Sequence, residues 1–81
     1  MVDAVFARAV AVANEILQGN VAPYDGAKAL WRIRSQLAEL EEALRVFVGL
    51  ASEWDDSPST RTAHERDIVA EADKFRARWG A

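Results

Sequence analysis

The stretch LWRIRSQLAELEEALRVFVGLASEW, residues 30–54, decides how this chain folds. Its apolar positions Leu30, Ile33, Leu37, Leu40, Leu44, Phe47, Ala51 and Trp54 alternate in steps of three and four, the spacing of a helical seam, and no glycine or proline falls between Gly26 and Gly49. As one helix from Pro23 to Trp54 the segment would be about 48 Å long at 1.5 Å per residue, more than the single helix before it could cover in a monomer. A break near residues 36–39 folds it back into a compact bundle. The break is the preferred reading; one long helix paired along its seam in a dimeric bundle is the alternative.

On the C-terminal side of that break, Leu40, Ala43, Leu44, Val46, Phe47, Val48, Leu50, Ala51 and Trp54 spread over about 200° of a helical wheel, with Glu41, Glu42, Arg45, Gly49, Ser52 and Glu53 opposite. An arc that wide has to touch at least two neighbours, so the helix predicted over 40–54 is expected to be the central one. On the N-terminal side, Pro23 suits a first helical turn and Asp25 the positive end of the dipole, which predicts a helix over 23–37. Arg34 interrupts its apolar face and calls for a carboxylate partner, with Glu53 or Asp55 the leading candidates.

Upstream, Val2, Val5, Phe6, Val10, Val12, Ile16 and Leu17 form one apolar face of a helix over 3–18, with Asp3 as its N-cap and Gly19-Asn20 as a left-handed stop. Downstream, Ser57-Pro58 reads as the N-cap and first position of a last helix over 58–79, carrying a narrower stripe of His64, Ile68, Ala72, Phe75 and Trp79. The expected fold is an all-α, compact four-helix bundle forming a single domain over 1–81. Sixteen alanines leave its bulk to a few side chains, for which Phe6, Trp31, Leu44, Phe47, Trp54, Phe75 and Trp79 are the candidates. Gly49, inside a predicted helix, is expected to mark a close approach by a neighbouring helix.

Composition removes several functional classes. The 81 residues carry a net charge of −3, which gives no basic surface for gripping phosphates, so no nucleic-acid partner is expected. There is no cysteine and one histidine. His64 has Asp67 one helical turn away and no second imidazole, so it reads as a partly buried structural residue rather than a metal ligand or general base. Ser35, Ser52 and Ser57 have no base within helical reach, and the four glycines are scattered rather than gathered in a phosphate loop. The expectation is a chain that is not an enzyme and uses no cofactor or metal. The N-terminal apolar stretch is broken by Arg8, Asn14 and Glu15, which predicts neither a signal peptide nor a membrane span and points to a cytoplasmic protein.

Charge is unevenly spread. Residues 39–56 hold Glu39, Glu41, Glu42, Glu53, Asp55 and Asp56 against Arg45 alone, a balance of −5. The expected partner-binding residues are Glu41, Glu42, Glu53, Asp55 and Asp56, an acidic face that steers a protein partner with a basic surface. The competing expectation is a structural homodimer or accessory subunit without ligand.

Two motifs carry a resemblance: Ala22-Pro23-Tyr24-Asp25-Gly26-Ala27 followed by Leu30-Trp31, and Phe47-Val48-Gly49-Leu50-Ala51-Ser52-Glu53-Trp54-Asp55-Asp56. The chain resembles, from about Ile16 to Trp79, a family of small, largely actinobacterial helical proteins that are loosely similar to colicin-D-type immunity proteins. The family pattern has serine where this chain has Ala22, which leaves the second helix without its side-chain cap. The resemblance implies a small α-helical domain without a cofactor, and an immunity role that masks the basic site of a toxic nuclease.

Overall fold

The computed structural model describes residues 2–36 and 38–80, with the backbone alone for Val2 and Asp3. The described residues are all-helical: α1 (Val2–Gln18), α2 (Pro23–Ile33), a 3-10 turn (Arg34–Gln36), α3 (Ala38–Ala43), α4 (Arg45–Asp56), a second 3-10 turn (Pro58–Thr60) and α5 (Arg61–Trp79).

Local signals set the outer limits. Gly19 takes φ +76° and closes α1 in a Schellman pattern, with the Gly19 N–H donating to the Ile16 carbonyl oxygen at 3.2 Å and the Asn20 N–H to that of Glu15 at 3.0 Å. α1 already runs at Val2, one residue before the predicted cap Asp3; that cap's side chain lies outside the described residues. Pro23 opens α2 behind Ala22, which makes no side-chain cap. Ser57 makes none either, and Pro58 begins a 3-10 turn, so α5 starts at Arg61 rather than at 58.

The seam folds back as expected, but at two places. The turn at Arg34–Gln36 falls close to the predicted break, and Leu37 beside it lies outside the described residues. The second interruption is at Leu44, with φ −100° and ψ 1°, so the helix predicted over 40–54 is two helices. Leu40, Leu44 and Phe47, which share one helical face by their spacing, stay together across the interruption, and all three are fully buried.

α1 packs on α2 and α5, α4 packs on the same two, and α2 touches α5. The centre of the molecule therefore lies between α2 and α5, which corrects the expectation that the 40–54 segment is central. One apolar cluster fills it. Ala9, Ala13, Ala27, Ala51 and Ala72 are fully buried and let backbones approach closely, while Leu30, Leu40, Leu44, Phe47, Ile68 and Phe75 supply the volume. Phe6, Trp31 and Trp79 pack on the rim of this cluster, half-buried. Trp54, expected inside, is also only half-buried and lies outside the cluster, because its ring turns toward Tyr24 at the molecule's edge.

The molecule measures 40 × 23 × 17 Å. Its accessible surface of 4883 Å² matches the about 4,900 Å² of a folded monomer of this mass.

Gly49 corrects another expectation. A Cβ built on it meets nothing within 4 Å, so no helix approaches there. Since an exposed mid-helix glycine costs roughly 0.5–1 kcal/mol relative to alanine, Gly49→Ala is expected to stabilise the protein by about that amount, read as a higher urea midpoint. An unchanged or lower midpoint would mean that the site is occupied by something other than solvent.

Candidate functional site

All five carboxylates expected to bind a partner, Glu41, Glu42, Glu53, Asp55 and Asp56, are exposed. The bend at Leu44 divides them. Glu41 and Glu42 sit on α3, and Glu53, Asp55 and Asp56 crowd the last turn of α4. The acidic face is thus two clusters at the ends of α4.

At the first end, Glu42 pairs with Arg45 at 3.2 Å, and Glu41 stands 4.0 Å from Arg34, which is still about a third exposed. Arg34 therefore answers to Glu41 rather than to Glu53 or Asp55. It is fixed in the 3-10 turn, next to α3 and away from the C-terminal end of α4. Exposed pairs of this kind contribute about 0–1 kcal/mol each, so these carboxylates stay available to a stronger cation.

The second end is better ordered. The Tyr24 ring stacks on Trp54 with centroids 4.0 Å apart and planes 21° from parallel, and the Arg61 guanidinium carbon lies 3.9 Å from the Trp54 ring centroid. The Arg61 Nε–H donates to the Trp54 carbonyl oxygen at 3.0 Å, and the Trp54 indole N–H donates to Glu65 Oε2 at 3.0 Å. The Tyr24 hydroxyl donates to both Asp55 oxygens, at 2.9 and 3.1 Å. A corner is thereby tied together from α2, α4 and α5, with Trp54 satisfying its polar atom where a fully interior position would have had to supply a buried acceptor. Lys28, 4.7 Å from the Trp31 centroid and 5.9 Å from that of Tyr24, extends the aromatic and cationic contacts along α2. Among the described residues, Asp56 alone of the five carboxylates has neither an ion pair nor a side-chain hydrogen bond.

His64 is part of the same corner. Its Nε2 is 2.9 Å from Glu53 Oε2 and its Nδ1 3.4 Å from the Thr60 hydroxyl, with the side chain 14% exposed. The partner is Glu53, across the α4–α5 turn, and not Asp67. Thr60, His64 and Glu53 have the composition of a nucleophile, base and orienting acid, yet the Thr60 hydroxyl donates to the Ser57 carbonyl oxygen at 3.2 Å and serves the turn. Among the described residues no group of three His, Asp or Glu side chains could hold a metal ion. No helix among them is long and apolar enough to cross a membrane.

The corner changes the titration of Tyr24. Its hydrogen bond to Asp55 raises its phenol above the ordinary value near 10, with desolvation and the charges of Asp55 and Asp25 acting the same way and Arg61 opposing. A raised folded value means that the contribution of this contact is complete below pH 10 and is lost as pH climbs through the folded value. Because Tyr24 is the only tyrosine, tyrosinate absorbance reads it alone. The expected midpoint is higher in the native protein than in denaturant; equal midpoints would contradict the Asp55 contact.

A groove of about 600 Å³ lies between α1 and the end of α5, where Phe6, Val10, Asn14 and Trp79 line it, and none of the five carboxylates borders it. A scan against protein-family models, a search of curated proteins and a search of solved structures each give no match for this chain.

Proposed function

We propose that this chain is a noncatalytic protein-binding module that docks a partner with a basic surface on its acidic corner, in the manner of an immunity-type inhibitor of a basic toxin or nuclease. The observation that supports this most is the exposure of Glu41, Glu42, Glu53, Asp55 and Asp56 on α3 and α4, which bury Leu40, Phe47 and Ala51 in the core. Glu53, Asp55 and Asp56 are the main contact, because their supporting helices are pinned by Tyr24, Trp54 and Arg61 and little order is lost on docking. Glu41 and Glu42 extend the negative field that steers the encounter. The resemblance to small immunity-type proteins, carried by the Pro23–Ala27 and Phe47–Asp56 motifs, favours the same reading, and the proposed site of action is the cytoplasm. On this reading α1, α2, α4 and α5 serve as a four-helix bundle that holds the corner rigid, with α3 as the bend between the second and third members.

The test is association with the purified product of the adjoining gene, followed by stopped-flow tryptophan fluorescence. Raising the salt from 50 to 500 mM is expected to slow association at least tenfold, and Glu53→Gln/Asp55→Asn/Asp56→Asn to slow it comparably at low salt. Absence of a complex, or a rate indifferent to both changes, would overturn the proposal.

A further inference from the structure

Charges alternate along the sequence of α5 but are sorted along the flank that borders α4. At 100° per residue, Asp67, Glu71, Lys74 and Arg78 fall within about 60° of one another on the helix. Asp67, Glu71 and Lys74 line a groove of about 310 Å³ with Val46 and Leu50 of α4, and Arg78 lines the adjoining groove of about 210 Å³. Two acids are followed by two bases, and the spacing is the same from either end. About a midpoint between Ala72 and Asp73, Asp67 is matched with Arg78 and Glu71 with Lys74. A copy of this helix turned end over end sets each acid against a base. The helix dipole does not account for the order, because the opposite flank carries Arg66, Asp73 and Arg76, in the sequence plus, minus, plus.

The same face holds Val46, the one large apolar side chain exposed among the described residues, at 40%. Glu53 meets His64 at one end of the α4–α5 groove, and Val46 borders Glu71 and Lys74 further along it. The two helices therefore run antiparallel, and Val46 stands beside the midpoint of the charge pattern. Ala70, exposed next to it, leaves room for a second backbone.

We propose that this face docks a second copy of the chain, in a twofold dimer whose α5 helices lie antiparallel on each other. Asp67 pairs with the partner's Arg78 and Glu71 with the partner's Lys74, each twice by symmetry, while the two Val46 side chains meet beside the axis. Within one chain, neither Asp67 nor Arg78 has an ion pair among the described residues. Glu71 and Lys74 bridge each other at 3.0 Å, but with Lys74 73% exposed this contact is weak and free to exchange. The dimer gains one exposed apolar side chain per copy and surface pairs, so its dissociation constant is on the order of 0.1–1 mM. It is independent of the acidic corner, where Asp55 turns to Tyr24 on the other flank of α4 and stays open.

Sedimentation equilibrium from about 20 μM to about 2 mM is the experiment. The mass is expected to rise with concentration and to stop at two chains, as closed symmetry requires. Val46→Lys is expected to weaken self-association at least tenfold. Asp67→Arg/Glu71→Lys makes the stripe wholly basic, and Lys74→Glu/Arg78→Glu makes it wholly acidic, with circular dichroism checking that each keeps its fold. Each alone is expected to stay monomeric, and an equimolar mixture to form a heterodimer at least tenfold tighter than the wild-type dimer. The chain has no cysteine, so spin labels on Ala77→Cys or Ala63→Cys are unique. Paired labels are expected about 15 Å apart at 77 and about 30 Å apart at 63. The proposal is overturned by a mass of one chain throughout, by assembly beyond two, or by association that Val46→Lys leaves unchanged. No recovery in the mixture, or one distance at both labels, overturns it equally.

Discussion

Phe47→Ala is expected to lower the stability of this protein by about 3–5 kcal/mol, the cost of emptying a fully packed aromatic site. Phe47 has no exposure and is the largest fully buried side chain. It stands on α4, which packs against both α2 and α5, so the cavity left behind would open on three helices that are tied together at their Tyr24–Trp54–Arg61 corner and cannot simply close over it. Dense interiors transmit such a loss instead of absorbing it. For a domain of this size the change amounts to a fall in melting temperature of roughly 4–8 °C for each kcal/mol, and it takes a large share of a total stability of about 5–15 kcal/mol. In urea the midpoint should drop with an unaltered slope, because the surface exposed on unfolding hardly changes. A loss below about 1 kcal/mol would mean that α4 presents a different face to the core.

The contrast between Phe47 and Trp54 shows what kind of information the sequence carries. Both lie on one seam at helical spacing, and the wheel assigns both to the interior. Phe47 is apolar throughout and has no polar atom to satisfy, so periodicity alone places it. Trp54 comes two residues before the helix ends and carries an indole N–H, and it settles at the edge where Glu65 accepts that proton and Tyr24 covers its ring. No periodicity encodes that choice, since Tyr24 and Glu65 belong to other helices. Gly19 and Pro23 were legible for the opposite reason: their backbone chemistry acts on the residues beside them, whatever the rest of the chain does. Leu44 carries no such chemistry. No residue at the break marks it, and the spacing of Leu40, Leu44 and Phe47, which share one helical face and are all buried, reads the same with or without it.

The same division governs the candidate site. That Glu41, Glu42, Glu53, Asp55 and Asp56 are exposed follows from their places on the wheel, and the structure has all five at the surface. Their separation into two clusters follows from the bend and was not legible. Nor were the partners: Glu53 for His64, Glu41 for Arg34 and Tyr24 for Asp55 are each contributed by a different element from the residue they meet. Helical reach predicts only contacts three and four residues away, which is why Asp67 looked like the partner of His64. Arg61 and Glu65, which fix the corner by holding Trp54, gave no signal of their own in a helix otherwise rich in alternating charge.

Gly26→Ala is the substitution in which local and tertiary preferences pull hardest against each other, and the tertiary side is expected to win by about 1–2 kcal/mol. Within α2 the change should help, since alanine is favoured over glycine by roughly 1 kcal/mol in a helix interior. Gly26 is buried, however, and a Cβ there would overlap Ile16 Cγ1 and come within 2.6 Å of its Cδ1. Cγ1 is attached directly to a branched Cβ whose rotamer is stiff in a helix, so it cannot swing aside as the tip of a lysine would. Either Ile16 leaves its rotamer or α1 moves away from α2, and overpacking of this sort typically costs about 1–3 kcal/mol. A double-mutant cycle separates the two contributions. Ile16, only 3% exposed, should cost about 2–5 kcal/mol when cut to alanine, and in that background the added methyl enters the space just vacated. Gly26→Ala is then expected to be neutral or stabilising, with a coupling of at least 1 kcal/mol between the two sites in urea unfolding. An identical effect of Gly26→Ala with and without Ile16 would show that α1 and α2 do not meet at this glycine, and the packing of the first helix on the bundle would have to be redrawn.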